Sequence, residues 1–223
     1  MTKKLFFSAL GKYVLGILLV GVLLFLPAGS LSFVNGWIFM GVLFIPIFIM
    51  GVVLMLKDPA LLKKRLDAKE SQKEQSLVIK LSGLMFMVGF ILPGLGFRFG
   101  WYTLPHVVTL IASALFLLGY ALFAEVLREN TYLSRTIEVQ ENQTVIDTGL
   151  YGIVRHPMYT ATLLMFLSMP LILGSLYSLA VFLAYPFIIV FRIKKEEELL
   201  EKELDGYQEY KQKVKSRLIP FVW

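Results

Sequence analysis

The sequence predicts an all-α, polytopic membrane protein with about six spans, and three observations support this fold class. Hydrophobic residues make up 57% of the 223-residue chain and charged residues only 17%, whereas soluble domains average about 45–50% and about 25%. The apolar residues form runs close to the ~20 residues that a helix needs to cross a bilayer. Lysine and arginine are concentrated in alternate connections between these runs, as expected for membrane topology.

The composition also excludes several kinds of site. The chain has no cysteine, so it has neither disulfides nor thiolate metal sites. Its formal net charge of +6 could indicate a nucleic-acid partner, but the basic residues lie between apolar runs rather than in one patch. We therefore predict the lipid bilayer as a partner, and no nucleic acid.

Four runs read as single spans: residues 5–26, 37–56, 77–95 and 105–126. The charged connection 57–76 is predicted to contain a short surface helix whose start is marked by Asp58 and Pro59. The apolar run 160–191 is too long for one ordinary crossing and is interrupted near Pro170 and Gly174. We expect it to form a helical hairpin, which gives four spans plus a hairpin.

The distribution of positive charge predicts the orientation. The connection 27–36 and the turn at Gly174 carry no charge, and the connection after the third span carries only Arg98. All other lysines and arginines fall on the opposite side, so both termini are predicted to be cytoplasmic in a multi-pass protein of the cell membrane. We divide the chain into N-terminal spans with a charged cytoplasmic connection (1–103) and a core with the hairpin and a cytoplasmic tail (104–223).

Two polar segments flank the hairpin, residues 125–159 and 192–223. Because a hairpin returns the chain to its starting face, these segments are expected to be neighbours and to share one cytoplasmic site. Pro157 suits the first turn of a helix, so a helix should begin near His156 and offer its backbone N–H groups to a carboxylate. Arg192 and Glu196 are spaced i, i+4 and therefore share a helix face.

The order of short motifs around the hairpin resembles that of a known family. The motifs are R-H-P-x-Y at 155–159, R-x-x-x-E-E-x-x-L at 192–200, Y-x-x-Y-x-x-x-V at 207–214 and L-I-P at 218–220. This order is similar to that of the isoprenylcysteine carboxyl methyltransferase superfamily, which also includes phospholipid and methanethiol methyltransferases. The resemblance extends over roughly residues 129–223.

The resemblance implies an integral-membrane methyltransferase that uses S-adenosylmethionine. It implies that Arg192 binds the acceptor and takes the catalytic role. The acceptor would be a lipophilic or small molecule, such as the carboxylate of a prenylcysteine-like compound, a lipid amine or a thiol. No metal is expected, because the sulfonium of the donor already activates the methyl group. The implied cofactor-binding residues are Gln140, Gln143, Thr144, Val145, Ile146, Tyr151, His156, Pro157, Met158, Tyr159, Glu196 and Glu197.

Two other functions remain open at this point. A membrane reductase of related architecture would bind NADPH, but its extra phosphate would favour a cluster of Arg or Lys, and the acidic run 196–198 argues against it. A non-enzymatic lipid-binding protein would leave the polar cluster unexplained. Taken singly, Arg155 could snorkel to headgroups, the acidic run could be a solvated helix face, and Tyr207 and Tyr210 could belong to an interfacial aromatic belt.

Overall fold

The computed structural model describes residues 3–66, 73–101, 103–133 and 138–223; within these ranges the chain is helical and contains no strand. The all-α membrane fold predicted from the sequence is therefore confirmed. A 3₁₀ turn, Gly149–Gly152, precedes α6. The helices are α1 (Lys3–Ala28), α2 (Val34–Lys57), α3 (Pro59–Leu66), α4 (Lys73–Arg98), α5 (His106–Glu129), α6 (Pro157–Ile172), α7 (Leu176–Phe182), α8 (Tyr185–Glu203) and α9 (Tyr207–Lys213).

Within the described ranges, five stretches are long and apolar enough to cross a bilayer. They are Lys3–Ala28, Val34–Lys57, Val78–Arg98, His106–Glu129 and Leu176–Glu203. The ends of the first four lie within about one helical turn of the predicted ends, mostly on the outer side. This extension is expected, because a helix that starts in hydrocarbon continues through the headgroup region and includes flanking charged residues such as Lys57 and Arg98.

The surface helix predicted after the second span is α3. Asp58 ends α2, and its Oδ1 accepts a hydrogen bond of 2.9 Å from the backbone N–H of Leu61, which fixes the start of α3. Leu61 and Leu62 are buried, so the apolar face of α3 packs on the protein. The predicted connection is too long at its end, since α4 already begins at Lys73; residues 67–72 lie outside the described part of the chain.

The hairpin turns where the sequence predicts. Helix α6 has 16 residues, about 24 Å of rise, and ends at Ile172. Gly174 then adopts a φ of +72°, a left-handed conformation that glycine enters without the strain of a Cβ. Ser175 caps α7, and its hydroxyl accepts a 3.2 Å hydrogen bond from the backbone N–H of Ser178. The returning limb is longer than expected and is divided into α7 and α8; the number of crossings stays a prediction.

A close contact between α5 and α6 positions the site at the ends of these helices. Gly119 faces α6 so closely that a Cβ at this position would lie 2.8 Å from Met165 Cγ and 3.1 Å from the Ala161 carbonyl oxygen. The buried core continues from α1 to the C-terminal region and includes residues of both parts of the chain, among them Leu24 and Phe182. The division into 1–103 and 104–223 remains a prediction.

The orientation can be tested by cysteine labelling, since the protein has no native cysteine to react. Ser32 and Gln208 are both exposed and lie on opposite predicted sides. We expect Ser32→Cys to react with an impermeant maleimide in intact cells and Gln208→Cys to react only after the membrane is opened. Labelling of Gln208→Cys from outside would contradict the cytoplasmic C-terminus.

Candidate active site

A cavity lies between the segment that joins α5 to α6, the first turn of α6, the part of α8 from Arg192 onward and the first half of α9. Its volume is about 100 Å³. Small-molecule sites usually enclose about 300–1,000 Å³, so a nucleoside-sized ligand requires the lining to move outward. The lining residues are Asn130, Tyr132, Leu133, Glu138, Gln143, Thr144, Val145, Ile146, Tyr151, Arg155, His156, Met158, Tyr159, Arg192, Glu196, Leu200, Leu204, Tyr207 and Tyr210.

The hydroxyl of Tyr159 connects the two polar residues that share a face of α8. It donates a hydrogen bond of 2.6 Å to Glu196 Oε2 and accepts one of 2.9 Å from Arg192 Nε. Tyr159 lies in the first turn of α6, so this chain of hydrogen bonds joins the two limbs of the hairpin. Charge-assisted bonds of this kind are short and directional. They hold a cation and a carboxylate at fixed positions on one wall of the cavity.

Glu197, the next residue along α8, has a different environment from Glu196. Its side chain is 4% exposed and accepts hydrogen bonds from Arg155 Nε (2.8 Å), His156 Nε2 (3.2 Å) and Arg217 Nε (2.9 Å). Buried charges are tolerated when they are paired and hydrogen-bonded. Glu197 therefore fixes the residues around the start of α6 and does not line the cavity itself.

His156 is oriented by this same carboxylate. A carboxylate only accepts hydrogen bonds, so the Nε2 that faces Glu197 Oε1 carries a hydrogen and donates the hydrogen bond. The other ring nitrogen, Nδ1, lies 3.9 Å from Glu196 Oε1, toward the cavity. The ring is 3% exposed, so it has little freedom to turn. The arrangement presents one imidazole nitrogen and one carboxylate oxygen to a ligand.

The C-terminal segment closes over the start of α6 through backbone hydrogen bonds. The N–H of Arg155 donates to the Ser216 carbonyl oxygen (3.0 Å), and the N–H of His156 donates to the Arg217 carbonyl oxygen (2.9 Å). The guanidinium of Arg217 stacks 5.0 Å from the centre of the Trp223 ring. We call residues 214–223 the strap. It covers one side of the site and fixes the conformation of the residues that precede α6.

Two buried tyrosines support the cavity from the opposite side. The hydroxyl of Tyr151 accepts a 2.9 Å hydrogen bond from Asn130 Nδ2, and the hydroxyl of Tyr210 donates one of 2.8 Å to the Tyr151 carbonyl oxygen. Burial raises the pKa of both phenols above their usual range. They therefore remain neutral at physiological pH and act as hydrogen-bonding groups rather than as acids.

The structure brings together most of the residues that the sequence assigns to the site. Those that line the cavity are Gln143, Thr144, Val145, Ile146, Tyr151, His156, Met158, Tyr159, Arg192 and Glu196. Gln140, Pro157 and Glu197 lie outside the lining. The side chain of Gln140 accepts a 2.7 Å hydrogen bond from Lys64 Nζ on α3, and Pro157 is the first residue of α6.

Several lining residues were not assigned a function from the sequence. Leu200 and Leu204 follow Glu196 at i+4 and i+8, so their placement on the cavity side could have been inferred from helical periodicity. Asn130, Tyr132, Leu133 and Glu138 carry no comparable signal, because they lie in an irregular connection. Arg155 is buried and paired, which contradicts the alternative that it snorkels to headgroups. Among the described residues, no three His, Asp or Glu side chains form a candidate metal site.

Comparisons with known proteins agree with the fold. Residues 107–205 match the family model described as phospholipid methyltransferase. The structure is similar to that of the eukaryotic intramembrane Ras methyltransferase ICMT, the isoprenylcysteine carboxyl methyltransferase. The TM-score is 0.56 and the identity 19%, over 97% of this chain and 84% of that chain. No curated protein matches the chain.

The matched segment is also the one that contributes most to the cavity. It extends from the start of α5 to the end of α8 and includes Tyr159, Arg192 and Glu196. Outside residues 107–205 the comparison rests on the solved structure alone, and at 19% identity that similarity shows only a shared fold. Residues 107–205 are thus similar to the phospholipid methyltransferase family, and the chain shares the fold of the isoprenylcysteine carboxyl methyltransferase.

Proposed function

We propose that the protein is a membrane methyltransferase that takes its methyl group from S-adenosylmethionine and transfers it to a lipophilic acceptor that carries an anionic group. The observation that carries the proposal is the hydrogen-bonded chain Arg192–Tyr159–Glu196 beside His156 in the cavity wall. It supports the proposal because it sets a carboxylate for a cationic ligand beside a guanidinium for an anionic one.

The charges of the lining favour S-adenosylmethionine over NADPH. The former carries an ammonium and a sulfonium at neutral pH, and Glu138 and Glu196 line the cavity. A dinucleotide phosphate would need several cations, yet Arg155 is bound to Glu197. The lining is therefore better matched to a cationic ligand than to a phosphorylated one.

The chain's own residues would act mainly by positioning. When bound, S-adenosylmethionine supplies a methyl group whose transfer breaks the methyl–sulfur bond and leaves a neutral thioether. Glu196 is suited to hold the ammonium, and Arg192 is suited to hold the acceptor in line with the methyl group. Alignment of two reactants can contribute up to ~7–11 kcal/mol to lowering a barrier. A carboxylate acceptor needs no general base, whereas an ammonium acceptor must first lose a proton.

The position of Arg192 supports the assignment of the acceptor. In α8 it follows the apolar residues 187–191 and precedes the charged residues 194–198, which places it at the predicted boundary between hydrocarbon and cytoplasm. A planar guanidinium is well suited to carboxylate or phosphate groups. An amphiphile could remain in the bilayer and present its head at this depth, on the cytoplasmic side of the cell membrane. A small thiol is the alternative acceptor.

The cofactor assignment predicts a specific loss of binding in a Glu196→Gln variant. Glutamine keeps an oxygen for Tyr159 but removes the charge, so we expect roughly tenfold or more weaker binding of S-adenosylmethionine, as for the loss of one charge-assisted contact. Calorimetry on purified protein in detergent measures this affinity. Glu198→Gln, an exposed change on the same helix, is the matched control and should bind as the wild type does. Wild-type protein that binds NADPH and not S-adenosylmethionine would overturn the proposal.

A further inference from the structure

One buried polar group in the cavity wall has no partner among the described residues. The hydroxyl of Tyr207 is closed to solvent and makes no hydrogen bond within this part of the chain, although the residue lines the cavity and is only 3% exposed. Buried hydroxyls are nearly always satisfied, and leaving one unpaired costs free energy. A group that destabilises the protein without a ligand is expected to gain a partner when the ligand is bound.

The neighbouring tyrosine shows that the unpaired hydroxyl is not a general property of this region. Tyr207 and Tyr210 pack with their ring centroids 5.8 Å apart. The hydroxyl of Tyr210 donates to the Tyr151 carbonyl oxygen at 2.8 Å, while that of Tyr207 has no such acceptor in the described residues. The two residues belong to one helix and one cluster, so the difference lies in what each hydroxyl faces.

The small volume of the cavity is consistent with a ligand-dependent partner. A cavity of about 100 Å³ must widen to admit a nucleoside-sized ligand. Tyr207 begins α9, directly after Gly206, whose φ of +80° marks a tight turn between α8 and α9. Outward movement of the lining at this turn would uncover the hydroxyl at the moment when the ligand enters.

The surroundings favour a neutral acceptor over a carboxylate. Tyr207 packs with the apolar residues Val145, Leu200 and Leu204. Burial raises the pKa of its phenol, and the nearby Glu197 and Glu196 carboxylates raise it further, so the hydroxyl stays protonated and can donate. A third carboxylate beside these two would be repelled, whereas a ring nitrogen or a ribose oxygen would not.

We propose that Tyr207 is a further cofactor-binding residue, whose hydroxyl donates a hydrogen bond to a neutral acceptor atom in the adenosine half of the bound cofactor. This inference rests on the proposed function, because it requires S-adenosylmethionine in the cavity. It gives Tyr207, the first residue of α9, a role in ligand binding in addition to its packing in the cavity lining.

The test compares Tyr207→Phe with the wild type in two measurements on purified full-length protein in detergent. We expect the variant to bind S-adenosylhomocysteine about tenfold more weakly, while its thermal midpoint without ligand is unchanged or higher. The same loss is expected for decarboxylated S-adenosylmethionine, which keeps the adenosine half and lacks the carboxylate. The control is Tyr210→Phe, which removes a hydroxyl that has a partner and should lower the midpoint without ligand.

Each other outcome has a distinct meaning. Equal affinity of Tyr207→Phe and the wild type for S-adenosylhomocysteine would overturn the inference, and so would a lower midpoint of the variant without ligand. A loss seen with S-adenosylhomocysteine but not with the decarboxylated compound would overturn the neutral acceptor. A wild-type protein that binds neither compound would contradict the proposed function itself.

Discussion

Replacement of Arg192 by lysine is expected to lower kcat by about tenfold to a hundredfold, while the affinity for S-adenosylmethionine changes by less than about twofold. The guanidinium of Arg192 donates from Nε to the Tyr159 hydroxyl at 2.9 Å. Lysine keeps the charge but cannot hold Tyr159 and an anionic acceptor group at once in a planar geometry. The loss of one such charged hydrogen bond corresponds to about 1.5–3 kcal/mol, which accounts for the expected factor.

The measurement is methyl transfer from labelled cofactor to lipid extracts, together with calorimetric binding of the cofactor. Arg128→Lys is the matched control, since Arg128 lies at the end of α5, is 73% exposed in its side chain and pairs with Glu125. It should retain wild-type turnover. If Arg192→Lys remained fully active and label appeared only in a small uncharged thiol product, the anionic-lipid acceptor would be wrong. Equal losses of binding and turnover would instead assign Arg192 to the cofactor.

Much of the fold follows from the sequence because length and polarity alone determine which segments can cross a bilayer. Residues 5–26 and 37–56 were predicted as spans, and α1 and α2 cover them with a few more residues at each end. The start of α6 was also predictable, since Pro157 fits the first helical position and not the interior. Helix ends are harder to predict, because α4 continues through charged residues down to Lys73.

The site was only partly predictable, and Glu196 and Glu197 show why. Both were assigned to cofactor binding through the resemblance, but adjacent residues on a helix point about 100° apart. Glu196 lines the cavity, whereas Glu197 is buried against Arg155 and Arg217. The sequence shows that both residues are charged, but it does not show which of them faces the cavity. That depends on how α8 is rotated about its axis, which is determined by its packing against α4 and α6.

The sequence predicts that residues 192–223 lie near residues 125–159, but it does not predict how the strap pairs with the start of α6. The strap contacts the start of α6 largely through its backbone carbonyl groups, which accept hydrogen bonds from the His156 N–H and from the side chains of Arg155 and Thr160. Backbone groups are the same in every residue, so such pairing leaves no side-chain pattern to read. The position of the Gln140 side chain was also not predictable. Its hydrogen bond to Lys64 joins two segments that are far apart in sequence.

The other large effect is expected in the stability of a Glu197→Ala variant. This change removes the carboxylate that joins three basic side chains and leaves the guanidinium of Arg155, whose side chain is 4% exposed, without its anionic partner. Breaking a buried ion pair by removing one member typically costs about 3–5 kcal/mol. We expect the thermal midpoint in detergent to fall strongly, and the His156 ring to lose the hydrogen bond that orients it.

Glu198→Ala is the matched control for this stability measurement. Glu198 is the next residue, pairs with Lys195 at 3.1 Å and has a side chain that is 57% exposed, so its removal should change the free energy of unfolding by less than about 1 kcal/mol. Glu197→Gln keeps an acceptor oxygen and should fall between the two, which provides a measurable variant if the alanine protein does not accumulate. Equal midpoints for Glu197→Gln, Glu198→Ala and the wild type would show that the buried carboxylate does not hold the strap and the start of α6 together. A graded loss would show that the charge and the hydrogen bonds of Glu197 stabilise the strap against the start of α6, although Glu197 lies outside the cavity lining.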